Sequence, residues 1–125
     1  NSKFQLPFTQ LGLCPEAGAS LMLPLRIGHN RAFELLVLGK PFTAEQALQY
    51  GLINQVCQSN DLLDTANKLA LTIAKLPHDA VITSRNLIRQ ATAEALPQVM
   101  SNEVKEFSRL MNSAECKNIM SRFFK

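Results

Sequence analysis

Glycine is scarce in this sequence of 125 residues: Gly12, Gly18, Gly28, Gly39 and Gly51 are the whole set, and none follows position 51. Sharp turns and close backbone approaches are therefore expected early, and long helix is expected after them. Cysteine is also scarce. Cys14, Cys57 and Cys116 are odd in number and far apart, with no CxxC pair and no Cys/His ligand spacing. That argues against a disulfide framework and against a metal site, and for a reduced intracellular setting. The aromatics, 7 Phe and 1 Tyr, form no RNA-binding motif. Neither sign of charge dominates: 13 Lys+Arg stand against 10 Asp+Glu, for a formal charge of +3. No block of like charge occurs, so solubility and tolerance of an anionic ligand follow, but no demand for nucleic acid. No window approaches the ~18 apolar residues of a membrane span. The opening Asn1-Ser2-Lys3-Phe4 has no initiator Met and no signal-peptide pattern. A start that is not the natural N-terminus is the expectation.

What is present is ordinary globular material. Hydrophobic residues make up 46% of the chain, enough to argue against disorder, and the length permits one domain with a real core. Lys3–Leu6 alternates like a short strand that Pro7 limits to an edge. Residues 8–15 read as a loop. A helix is expected to open after Cys14, with Pro15 at its first position and a stripe of Ala17, Leu21, Met22 and Leu25. Pro24 should end or kink it. His29–Leu38 follows, with Ala32, Phe33, Leu36 and Val37 on one face and Gly39 as its terminator.

Thr43-Ala44-Glu45-Gln46 is a capping box and the clearest local signal in the chain. The helix that it starts should end at Gly51, and Leu52–Cys57 reads as a short strand. Three long amphipathic helices are then expected: from Asn60 or Asp61 to about Leu76, from His78 to about Ala95, and from Leu96 to Met111. A last helix opens at Ser113-Ala114-Glu115-Cys116. The fold class is mostly α with one or two short strands.

Three segments carry a resemblance. The first runs from Leu6 to Ser20 and contains Pro7-Phe8, Leu11-Gly12-Leu13-Cys14 and Pro15-Glu16-Ala17-Gly18. The second is Leu38-Gly39-Lys40-Pro41-Phe42-Thr43-Ala44-Glu45-Gln46-Ala47 with Tyr50-Gly51-Leu52-Ile53-Asn54-Gln55-Val56. The third is Leu76-Pro77 with Ser84-Arg85 and Leu87-Ile88-Arg89. In this order and spacing they resemble the crotonase superfamily of enoyl-CoA hydratases and isomerases, over essentially the whole chain. The resemblance implies the C-terminal part of a crotonase-like α/β fold, whose core is a spiral of ββα units. Residues 1–60 would end that core and carry the catalytic loop and helix. Residues 61–125 would be the C-terminal helical trimerisation region.

Within the family the pattern leans one way. Hydratases carry Glu at the place of Phe8, and usually Gly at the place of Glu16. Pro15-Glu16, with Ala114-Glu115-Cys116-Lys117-Asn118 downstream, looks like the Δ3,Δ2-enoyl-CoA isomerases of the peroxisomal type and their bacterial relatives. The resemblance makes Glu16 the base that moves a proton between C2 and C4 of the acyl chain. Such chemistry needs one carboxylate over the acyl chain and donors for the enolate oxygen. Phe8, Leu11, Leu13 and Cys14 could form an apolar, substrate-binding wall that makes the carboxylate a better base. No metal and no separate cofactor is expected, since coenzyme A is part of the substrate. Glu16 also has an ordinary explanation, because acids are favoured in the first turn of any helix. His29 and His78 read as surface or capping residues.

The resemblance starts part-way into the family's domain. Both oxyanion-hole N–H groups and most of the coenzyme A pocket belong to the half not included here. The chain alone is therefore expected to be nearly inactive, and to expose apolar helix faces that self-association would cover, as trimer or hexamer. The family also places an aromatic and basic segment near the CoA nucleotide, at Arg122-Phe123-Phe124-Lys125 here, where Arg122 and Lys125 read as ordinary surface charge. Acyl-CoA is the expected partner, with no nucleic acid and no membrane. The end of the chain carries no peroxisomal Ser-Lys-Leu signal, so a bacterial cytoplasm is expected over a peroxisome. Competing readings are another crotonase reaction such as hydration, a non-catalytic acyl-CoA-binding or oligomerisation module, and a free-standing helical interaction domain.

Overall fold

The computed structural model describes residues 2–123. Two strands, β1 (Lys3–Phe4) and β2 (Phe42–Thr43), pair antiparallel with Lys3 opposite Thr43 and Phe4 opposite Phe42. This register stacks the Phe4 and Phe42 rings, with centroids 5.4 Å apart. Among the described residues there are seven α-helices: α1 (Ala19–Ile27), α2 (His29–Phe33), α3 (Ala44–Gln49), α4 (Leu62–Ala74), α5 (His78–Ala93), α6 (Ala95–Met111) and α7 (Ala114–Phe123). The mostly helical class with short strands is as the composition suggested. Phe124 and Lys125 lie outside the described residues, so the expectation placed on them does too.

Local chemistry explains several boundaries. The capping box is complete: the Gln46 N–H donates to the Thr43 hydroxyl, and the Thr43 N–H donates to the Gln46 side-chain oxygen at 2.9 Å. Ser113 caps α7 in the same manner, accepting from the Cys116 N–H. Pro77 separates α4 from α5 because it has no N–H to continue a ladder.

Several expectations differ from the structure. The first helix opens at Ala19, four residues later than Pro15 suggested, because Ala17 and Gly18 both have positive φ, at 58° and 79°. Of the two outcomes expected at Pro24, an end or a kink, the end does not occur: α1 runs on to Ile27 with Pro24 inside it. The helix from His29 passes at Glu34–Leu38 into a π turn, and its buried residues are Ala32, Leu35 and Leu36. Phe33 and Val37 face outward instead, since the period allowed either stripe and the contact with Phe42 and Ala47 chose one. Leu52–Cys57 is not a strand. Among the described residues no further strand stands beside it to complete a ladder, and Leu52 and Ile53 pack on the Phe42 cluster.

The core is small and lies toward the N-terminal side. Leu35, Phe42 and Ala47 form its centre, and Phe4, Leu6, Leu23, Ile27 and Tyr50 pack around them. The last carbonyls of the π turn would be orphaned at a helix end. Side chains from the preceding loop satisfy them: Thr9 donates to Val37, Gln10 to Leu38 and Gln5 to Gly39. That hydrogen bonding docks residues 5–12 against the end of the helix and sets the path of the loop that carries Glu16.

Candidate active site

The loop begins at Phe8, which starts a 3-10 turn over Thr9–Leu11. Phe8 and Leu11 are half-buried. The Leu13 N–H donates back to the Phe8 carbonyl at 2.8 Å, and the Leu13 side chain is buried. Gly12 lets the loop pass α7: a Cβ there would stand 3.1 Å from the Cys116 Cα, at a φ of +71° that L residues rarely adopt. Cys14 is half-buried beside α6. Burial pushes its thiol up from the ordinary range; its own backbone hydrogen bond opposes this, the Glu106 and Glu103 carboxylates add to it, and Arg109 offsets them in part.

Glu16 follows on the exposed side of the loop. The Ala19 N–H donates to its carbonyl at 3.1 Å, closing a turn whose central residues are Ala17 and Gly18. Two positive φ values are the signature of a mirror-image turn. An alanine in that region costs roughly 1–2 kcal/mol, so the surroundings must hold it. Glu16 is thus outside the helix, and the helix dipole does not explain its presence.

The carboxylate at the N-terminus of α1 belongs instead to Glu103 of α6. Glu103 is buried, with 7% of its surface exposed, and is the only buried charged side chain among the described residues. Its Oε2 accepts from the Gly18 N–H at 2.6 Å, and its Oε1 accepts from the Ser20 N–H at 2.9 Å and from the Ser20 hydroxyl. Gly18 has no side chain to cap the helix locally, so the free N–H groups of the first turn are satisfied from a distant part of the chain. Leu96 of α6 closes on the same turn: a Cβ at Gly18 would lie 2.6 Å from its Cδ1. Sequence reasoning missed Glu103. Its only signal was an acid on the same helical face as Val99, Met100 and Phe107, which would have marked a buried charge in need of partners.

The structure places Phe8, Leu11, Leu13, Cys14 and Glu16 on one short loop. Leu13 is buried, Phe8, Leu11 and Cys14 are half-buried, and Glu16 is exposed. Among the described residues, no three His, Cys, Asp or Glu side chains converge as metal ligands, and no helix is long and apolar enough to cross a membrane. The loop is held at Gly12 by α7 and at Gly18 by α6, and between these points it carries one exposed carboxylate, Glu16.

Comparison with known proteins gives this loop a context. Residues 1–125 match the enoyl-CoA hydratase/isomerase family, and the chain belongs to that family. Its fold is that of crotonase-type structures. The chain is 34% identical over 124 residues to 1,2-epoxyphenylacetyl-CoA isomerase of Escherichia coli, covering 98% of this chain and 47% of that protein. It is 33% identical over 120 residues to enoyl-CoA delta isomerase 2 of Rattus norvegicus, covering 96% of this chain and 31% of that protein. It is 30% identical over 119 residues to carnitinyl-CoA dehydratase of Proteus mirabilis, covering 92% and 46%. Among solved structures, an enoyl-CoA hydratase/isomerase from Pseudoalteromonas atlantica superposes with a TM-score of 0.95 at 36% identity, over 98% of this chain and 50% of that one. The chain thus spans at most about half the length of these relatives.

Proposed function

We propose that this chain is the base-bearing part of a Δ3,Δ2-enoyl-CoA isomerase. Glu16 removes a proton from C2 of a 3-enoyl-CoA thioester. The electron pair moves into a dienolate, and the same carboxylate returns the proton at C4 to give the 2-enoyl product. The proton count balances on a single group, and no water is consumed. The observation that carries this reading is Glu16 itself: a lone carboxylate, outside any helix, held outward on a loop with both ends anchored. Two isomerases among the relatives support the assignment. Phe8 occupies the place where the resemblance puts a second carboxylate in hydratases, which favours proton transfer over water addition.

Coenzyme A enters as part of the substrate and no separate cofactor is invoked. Donors for the enolate oxygen, usually the largest contribution to such catalysis, come from outside residues 1–125. A homo-oligomer, trimer or hexamer, would cover the exposed helix faces described below. Three free thiols suit a reducing compartment, and we assign the protein to a bacterial cytoplasm.

The test is Glu16→Gln in the full-length polypeptide with a 3-enoyl-CoA substrate. Loss of a general base costs on the order of 10²- to 10⁴-fold. Isomerisation within threefold of the parent rate would sink the reading. Water addition lost in the same variant would move the reaction to hydration. The 125 residues alone are expected to give no turnover above background, checked in the same assay.

A further inference from the structure

We propose that Glu103 is a positioning residue for Glu16, so that a helix of the C-terminal region sets where the base stands. The inference rests on the reading of Glu16 as the base. The loop from Gly12 to Gly18 is held at both ends by C-terminal helices. At Gly12 it lies against Cys116 and Ile119 of α7, and at Gly18 it lies against Glu103 and Leu96 of α6. Between these points runs a turn that stores strain at Ala17, whose φ is 58°. Such a turn persists only where its neighbours over-determine it. Glu103 does so with three hydrogen bonds: to the Gly18 N–H inside the turn, and to the Ser20 N–H and hydroxyl just beyond it.

The geometry leaves the Glu103 carboxylate little freedom. Both of its oxygens are committed, one to each side of the α1 N-terminus, and its side chain is buried. Gly18 is two residues from Glu16, and the Glu16 carbonyl is tied into the same turn by the Ala19 N–H. Moving the Gly18 N–H therefore moves the backbone from which the Glu16 side chain projects. A misplacement near 1 Å can lower a proton-transfer rate about 100-fold. Glutamine at position 103 keeps the shape but exchanges one acceptor for an N–H₂ donor, which would face the N–H of Gly18 or Ser20.

The experiment compares Glu103→Gln, Ser20→Ala and Glu16→Gln in the full-length polypeptide, with kcat, KM and the folded fraction by circular dichroism at the assay temperature. For Glu103→Gln we expect kcat per folded molecule to fall about 10- to 100-fold with KM within threefold. Ser20→Ala, which removes one of the three hydrogen bonds, should fall about three- to tenfold on the same grounds. A loss in Glu103→Gln no larger than its loss of folded protein would make Glu103 a structural residue only and overturn the inference. If Glu103→Gln does not fold, Ser20→Ala decides: an unchanged kcat overturns the inference, and a drop of threefold or more at full foldedness supports it. An unaffected Glu16→Gln variant would remove the base reading and this inference with it. A dead Glu16→Gln beside a fully active Glu103→Gln would remove this inference alone.

Discussion

Residues 3–53 and helices α4 and α5 carry the same kind of apolar periodicity, yet they end in opposite surroundings. In the first region Leu35 is 4% exposed and Phe42 is 5% exposed. In the second, Leu63 on α4 is 76% exposed and Ile88 on α5 is 77% exposed. The difference is not in the helices, since α4 and α5 are longer than α1 to α3. It lies in what each stripe meets. The first region folds back on itself through the β1–β2 pair and the docked loop, so its stripes find one another. The stripes of α4 and α5 meet little within this chain. Amphipathic pattern specifies that a face will be buried, and leaves open by whom.

The sharpest break of that contrast is Leu35→Ala. It empties the centre of the core and should destabilise the chain by about 2–5 kcal/mol, read by urea unfolding. A cost under 1 kcal/mol would show that the cluster around Phe42 is not a packed core. Gly12→Ala should cost about 1–3 kcal/mol, because the new Cβ meets α7 at a positive φ. Thermal unfolding unchanged in this variant would mean that α7 does not press on the loop.

Thr43→Ala removes the α3 cap and should cost about 1 kcal/mol. It also has a pH signature. Glu45 is held below the usual carboxylate range, first by its own backbone N–H and then by the Thr43 hydroxyl. A depressed folded pKa stabilises above the unfolded value, and that contribution is lost as pH falls through the folded value. The parent chain should therefore lose slightly more stability on acidification than Thr43→Ala does. Equal acid limbs would dissociate Thr43 from Glu45.

The smallest effect is expected for Ile88→Ser. In the chain alone it should change stability by less than about 0.5 kcal/mol, as at other open sites. It should instead reduce binding of a hydrophobic dye and self-association by light scattering. A cost above 2 kcal/mol would mean that α5 is already buried in the chain, and the contrast between the two regions would vanish.

Much of the fold could be read from residues alone. Thr43 and Gln46, Ser113 and Pro77 act on their immediate neighbours, so their effects were legible. The failures came where partners are remote. Pro15 looks like the first residue of a helix, but two positive φ values delay α1 to Ala19, and Glu103 sustains that delay from 85 residues away. Leu52–Cys57 has the composition of a strand and no neighbour to pair with among the described residues. Phe33 and Val37 fit the helical period as well as Leu35 does, and only the position of Phe42 and Ala47 separates them. In the candidate site, Glu16 is proposed from its motif. The burial of Leu13 and the nearness of Cys14 to the charges of α6 could not be read from that motif, because they depend on the folded chain.

By itself, the sequence determined the family, the order of the helices, the caps and the candidate base, since each rests on residues within about a turn of one another or on a motif of fixed spacing. Only the tertiary structure decided that Glu16 stands outside the helix, that the helix N-terminus is answered by Glu103, and that Gly12 must let α7 come close. The physical reason is the same in each case. A free N–H, a positive φ and a missing Cβ are local needs, and the groups that meet them are brought near only by the folding of a distant part of the chain.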